Sequence, residues 1–203
     1  MISHEHKFIF IHIPKCGGTS VEWVFKAWEN SQSFFVGSGK QHWFLEQIIT
    51  AKPECKDYTS FTFIRNPFSR IVSEYKYAKK ESQINCDHIK SNSGLNLSFK
   101  EFCKDLEHNL KHYCYEFHDK SLCDYVLNAD GSERVNYIGR LENFQKDFDI
   151  ICDKIGIPQK QLPHAFKSDD KKCYTEYYDD ETREIVGQKY AKDIEYFGYQ
   201  FGQ

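Results

Sequence analysis

The sequence predicts an α/β fold, a P-loop-like three-layer arrangement with a central, mainly parallel sheet flanked by helices. Three observations carry this. Residues 8–13 and 61–64 are short apolar runs of the kind buried on both faces of a parallel sheet. Each is followed at once by a polar turn and then by apolar residues at helical spacing. Further strand-like and helix-like segments alternate toward the C-terminus.

The elements follow in order. In "FIFIHIPKCGGTSVEWVF" a strand ends in a Gly-Gly turn. Val21, Val24, Phe25 and Trp28 then mark a helix, with Thr19 or Ser20 positioned to cap it. Residues 41–51 read as a second helix, stopped before Pro53. "FTFIRNPFSRIVSEYKYAKK" repeats the grammar: a strand at 61–64, a turn at Arg65-Asn66, and Pro67 in the first helical turn. Phe68, Ile71, Val72 and Tyr75 form that helix's apolar face. Residues 81–97 are polar and read as a loop, and 99–110 as a helix. "LCDYVLNADGSERVNYIGRLENF" reads as two strands around an Asp130-Gly131 turn. Phe144, Phe148, Ile151 and Ile155 give a helix ending at Gly156, and residues 180–197 one long amphipathic helix.

A chain of 203 residues, 40% hydrophobic and 16% aromatic, suits a single domain over 1–203 with a sizeable core. A net charge of −3 offers no global basic field, so nucleic acid is not an expected partner. No stretch approaches the ~20 apolar residues that span a bilayer. The polar start at 1–7 carries no signal-peptide pattern. These two features make a soluble, cytoplasmic protein the expectation. Eight cysteines without a CxxC pair are expected to be mostly thiols.

In an open α/β sheet, ligands sit at the carboxyl ends of the strands. At the first strand end, Gly17 and Gly18 let backbone N–H groups approach a ligand closely, and Lys15 adds a mobile cation. Thr19 and Ser20 add hydroxyl donors. Together these make an anion cradle. The nucleoside-triphosphate loop GxxxxGK[ST] places its lysine after the glycines, whereas Lys15 stands before them. At the second strand end Arg65 can fork onto a phosphate, with Ser73 eight residues on and Arg70 near the same helix face.

These residues resemble carbohydrate sulfotransferases of the Golgi, heparan–chondroitin type (sulfotransferase family 2). "HIPKCGGTS" is similar to their 5′-phosphosulfate loop, and "IRNPFSRIVSEY" to their 3′-phosphate motif. "DYVLNADGSERVNYIGRLENFQKDF", "LPHAFKS" and "YYDDETREIVGQKYAKDIEYFGYQF" extend the likeness in order along most of the chain. Residues 81–125 match poorly, and acceptor specificity is expected in that variable insertion.

The resemblance implies 3′-phosphoadenosine 5′-phosphosulfate, PAPS, as the sulfate donor, with no metal. A carbohydrate hydroxyl is the implied acceptor. It implies that Lys15, Cys16, Gly17, Gly18, Thr19 and Ser20 line the phosphosulfate site, Cys16 standing where a threonine is frequent. Arg65 and Ser73 would hold the 3′-phosphate, and Lys167 and Ser168 would close over the nucleotide. Lys15 would neutralise charge on the leaving oxygen. His42, between the two motifs, is the candidate base, with Glu46 as the alternative. His12 reads as packing, and the spacings of His108, His112, Cys114, His118 and Cys123 fit no common zinc pattern. A P-loop kinase using ATP, or a non-catalytic nucleotide-binding module, are the alternatives.

Overall fold

The computed structural model describes residues 1–25, 41–81, 96–114, 117–163 and 172–203. The strands are β1 (Ile2–Ser3), β2 (Phe8–Ile11), β3 (Thr59–Ile64) and β4 (Tyr137–Arg140). The helices are α1 (Gly18–Val24), α2 (Leu45–Ala51), α3 (Pro67–Glu81), α4 (Phe99–Lys104), α5 (Leu106–Tyr113), α6 (Leu122–Val126), α7 (Phe144–Ile155), α8 (Asp180–Lys189) and α9 (Ala191–Phe197). The chain divides into two compact units, Met1–Arg65 with Asp124–Ser168, and Asn66–Cys123 with Asp169–Gln203.

The first unit holds the sheet, ordered β1-β2-β3-β4. The β2–β3 and β3–β4 pairs are parallel, and the short β1 edge is antiparallel. Every residue of β2 is buried, which is why its sequence is apolar without alternation. Phe8, Phe10, Phe61 and Phe63 share one core with Val21 of α1 and Phe148 and Ile151 of α7. The one hydroxyl fully buried in β3, on Thr62, donates to the Ile11 carbonyl at 2.7 Å. The α/β class with a mainly parallel sheet flanked by helices is therefore as the sequence predicts.

The second unit is built on α3. Phe68, Ile71, Val72 and Tyr75 pack with Phe102 of α4, Leu110 of α5 and Val186 of α8, so the predicted apolar face is the one buried. Pro67 opens α3, and the Asn66 side-chain oxygen caps it by accepting from the Phe68 N–H at 3.1 Å.

Five expectations are corrected. The first helix is capped by Gly17 rather than by Thr19 or Ser20: a φ of 84° lets the chain enter the helix directly from a left-handed bend. The second helix starts at Leu45, where the Gln47 side chain accepts from the Phe44 N–H at 2.9 Å, so residues 41–44 precede it. The 99–110 helix is two helices broken at Asp105, with the buried Asn109 amide donating to the Phe102 carbonyl (2.9 Å) that the break releases. Of the two strands expected around Asp130-Gly131, the first is α6, and a single bridge joins Leu127 to Glu133. The C-terminal helix breaks at Tyr190 into α8 and α9. Beyond that break the fully buried Asp193 carboxylate accepts from the backbone N–H groups of Leu122 and Cys123, at 2.8 and 2.9 Å.

Candidate functional site

Parallel register aligns the carboxyl ends of three strands: Ile11 lies opposite Thr62, and Ile64 opposite Arg140. The 12–17 loop leaves β2 at this edge, and Arg65 leaves β3 beside it. The Arg65 guanidinium donates to the Lys15 carbonyl at 3.3 Å. The two motifs that the sequence singles out are thus joined directly within the first unit.

The loop is sharply bent. Lys15 has φ 61° and Gly17 φ 84°. A left-handed lysine costs about 1–2 kcal/mol, and strain of this kind concentrates where a loop must present its backbone in one shape. The two glycines are required for different reasons. At Gly17 the positive φ is the reason, and a β-carbon would also lie 2.7 Å from Leu141. At Gly18 the reason is contact: a β-carbon would come within 2.1–2.5 Å of three atoms of the His12 ring. Cys16 is buried and Ser20 nearly so, while Lys15 and Thr19 are half-buried.

His12 is more than packing. Its Nδ1 lies 2.8 Å from Oε1 of Glu22, a fully buried carboxylate on α1. An ionised Glu22 can only accept, so in that state Nδ1 donates to it, and the Gln41 side-chain nitrogen lies 3.1 Å from the same Nδ1. The other Glu22 oxygen accepts from the Gln41 side-chain amide at 2.8 Å. His42 Nδ1 is 2.8 Å from the His12 carbonyl, which also can only accept. Neutral His42 therefore carries its proton on Nδ1 and its lone pair on Nε2. The His12 and His42 rings meet edge to face, centroids 4.7 Å apart. The His42 carbonyl is held by the Tyr125 hydroxyl at 3.2 Å. Glu46, the alternative base, is paired instead with Arg134 at 2.6 Å.

In the second unit, Ser73 is half-buried on α3. Arg70 turns inward: almost wholly buried, it donates to the carbonyls of Lys120 (2.8 Å) and His118 (3.3 Å). It also lies 3.9 Å from the buried Glu74 carboxylate, whose other oxygen accepts from His118 Nδ1 at 2.7 Å. With Cys114, Glu74 and His118 bring three possible metal-ligand atoms within 4.8 Å of one another. The guanidinium beside them and the imidazole–carboxylate bond make this a buried charge network, and Arg70 is part of it rather than of an anion site. Lys167 and Ser168 lie outside the described residues.

Two features escaped the sequence. Arg140 ends β4 opposite Ile64, one residue before Arg65 leaves β3, and the Gly-Arg pair after an apolar strand was the available signal. Glu22 gave none, because only folding brings α1 against the end of β2.

Among the described residues no helix is long and apolar enough to cross a membrane, and no cysteine is disulfide-bonded.

Fold and site define an α/β protein with two basic strand ends at one sheet edge and a Gly-Gly loop between strand and helix. The sequence model of the Sulfotransferase family matches residues 1–200, and the chain belongs to that family, whose reaction is sulfuryl transfer. A protein of Archaeoglobus fulgidus described only as uncharacterized is 30% identical over 105 residues, covering 51% of this chain and 72% of its own. No solved structure matches.

Proposed function

We propose that the protein transfers the sulfuryl group of PAPS to an acceptor hydroxyl on a carbohydrate. The observation that carries this reading is the hydrogen bond from Arg65 to the Lys15 carbonyl. It brings the Arg65 guanidinium onto the backbone of the Lys15 loop, so both motifs meet at one sheet edge, which suits a donor with phosphate groups at both ends of its ribose. The loop of Lys15, Cys16, Gly17, Gly18, Thr19 and Ser20 takes the phosphosulfate, and Arg65 the 3′-phosphate. The assignments of Ser73 to that phosphate, and of Lys167 and Ser168 to nucleotide closure, rest on the resemblance alone. Residues 81–125 are the proposed source of acceptor specificity.

Sulfuryl transfer asks for alignment and for stabilisation of developing charge. The acceptor oxygen attacks sulfur in line as the bond to the bridging phosphate oxygen breaks. Lys15 and the loop amides neutralise the charge arriving on that oxygen. The Nε2 lone pair of His42 takes the hydroxyl proton, and adenosine 3′,5′-bisphosphate leaves. The tautomer set by the His12 carbonyl supports this role, because it leaves Nε2 as the acceptor.

Thermal denaturation with adenosine 3′,5′-bisphosphate, AMP and ATP tests the donor. A ligand at a hundred times its Kd stabilises by about 2.7 kcal/mol. The bisphosphate is expected to stabilise most, and Arg65→Ala to erase its advantage over AMP. Stabilisation by ATP or AMP alone would overturn the reading and favour a kinase.

A further inference from the structure

The buried Glu22–His12 pair beside the candidate base takes no part in the chemistry above. Glu22 is fully buried and His12 is 5% exposed, yet both are polar and both bear on the residues around the base. One Glu22 oxygen holds the His12 imidazole. The other holds the side chain of Gln41, the residue just before His42. His12 in turn supplies the carbonyl that takes the His42 Nδ1–H, and the ring face that meets the His42 ring. The same imidazole abuts Gly18 in the donor loop.

We propose that Glu22, acting through His12 and Gln41, is a positioning residue that fixes the tautomer and ring orientation of His42. This rests on the reading of His42 as the base. A single carboxylate holds the imidazole of His12, whose carbonyl orients His42, and the side chain of Gln41, which precedes it. Without that grip the His42 ring can turn from the His12 carbonyl. In water a neutral imidazole favours the proton on Nε2, the nitrogen that must accept. The relay therefore keeps the less common tautomer in place. A carboxylate buried only to stabilise the fold would leave the His42 tautomer indifferent to its removal.

Glu22→Gln keeps the volume but turns an amide N–H₂ toward the Gln41 amide, donor against donor. Gln41→Ala cuts the same link from the half-buried end, where folding is at little risk. Imidazole nitrogen NMR of the folded protein, with His42→Ala to assign the signal, reads the tautomer without any turnover. The wild type is expected to show Nδ1–H with unprotonated Nε2, and both variants a shift toward the Nε2–H form. Affinity for adenosine 3′,5′-bisphosphate should change less than about twofold. PAPS turnover should fall on the order of tenfold in kcat, a fraction of the 10²–10⁴ a general base supplies. An unchanged His42 tautomer in both variants overturns the relay, whatever the activity. If the tautomer shifts but His42→Ala still turns over PAPS at the wild-type rate, the relay stands and the base assignment falls.

Discussion

Gly18→Ala sets two effects of opposite sign against each other. Gly18 is the first residue of α1, and alanine there gains up to ~1 kcal/mol of helix propensity. Against this, the new β-carbon would sit 2.1 Å from His12 Cδ2 and 2.3 Å from Nε2. The ring cannot step aside cheaply, because it is buried and bonded to Glu22 at 2.8 Å. Overpacking costs about 1–3 kcal/mol. Displacing a hydrogen bond to a buried carboxylate adds roughly 1.5–3 kcal/mol. With the propensity gain subtracted, the expected net loss is about 1.5–5 kcal/mol. In urea, with m about 2 kcal/mol/M, the middle of the usual range, the midpoint should drop by roughly 1–2.5 M. Circular dichroism across a urea series reads this. In a His12→Ala background, where the ring is gone, the same substitution should cost little, giving a coupling of about 1 kcal/mol or more in the double-mutant cycle. A neutral or stabilising Gly18→Ala, or strictly additive costs, would refute the contact as the reason for glycine.

In the second unit, Glu74→Ala removes the carboxylate that His118 Nδ1 meets at 2.7 Å and that lies 3.9 Å from buried Arg70. A loss of about 3–5 kcal/mol in thermal or urea unfolding is expected, and a loss under ~1 kcal/mol would contradict the network. The thiols should differ in reactivity. Cys173 is exposed, and the Thr175 hydroxyl donating to its sulfur lowers its pKa. Burial pushes Cys152 up to about 11 and Cys103 up to about 12. Iodoacetamide at neutral pH should therefore label Cys173 well before Cys103 or Cys152 in the folded protein, and the reverse order would contradict this. The Cys103 contribution to stability is complete below the unfolded thiol value of roughly 8.5. It is lost progressively as pH rises from there toward about 12, so unfolding should ease at alkaline pH.

The parts legible in the sequence were those written in local pattern. The apolar run of β2, the Pro67 start of α3, the α7 stop at Gly156 and the Gly-Gly loop each announce themselves within a few residues. The sequence also placed Arg65 and Lys15 at strand ends without knowing that they touch. The misses are tertiary. Nothing near Asp105 or Tyr190 predicts a helix break, because the reasons are a carbonyl satisfied by Asn109 and a carboxylate drawn to α6. Spacing puts Arg70 near the helix face of Ser73, yet its guanidinium turns inward to two carbonyls. His12 looked like a strand residue, since Glu22 is ten positions away and Gln41 twenty-nine.

The role proposed for the Lys15 loop is delivery of the sulfuryl group of PAPS. Its most direct measurement is the conversion of PAPS to adenosine 3′,5′-bisphosphate in the presence of pooled sugar acceptors, for the wild type and for a Lys15→Ala variant shown to be folded. Turnover by the wild type, reduced by about 10²–10³ in Lys15→Ala, is the expected result. No turnover of PAPS, together with magnesium-dependent transfer of the ATP γ-phosphate, would contradict it.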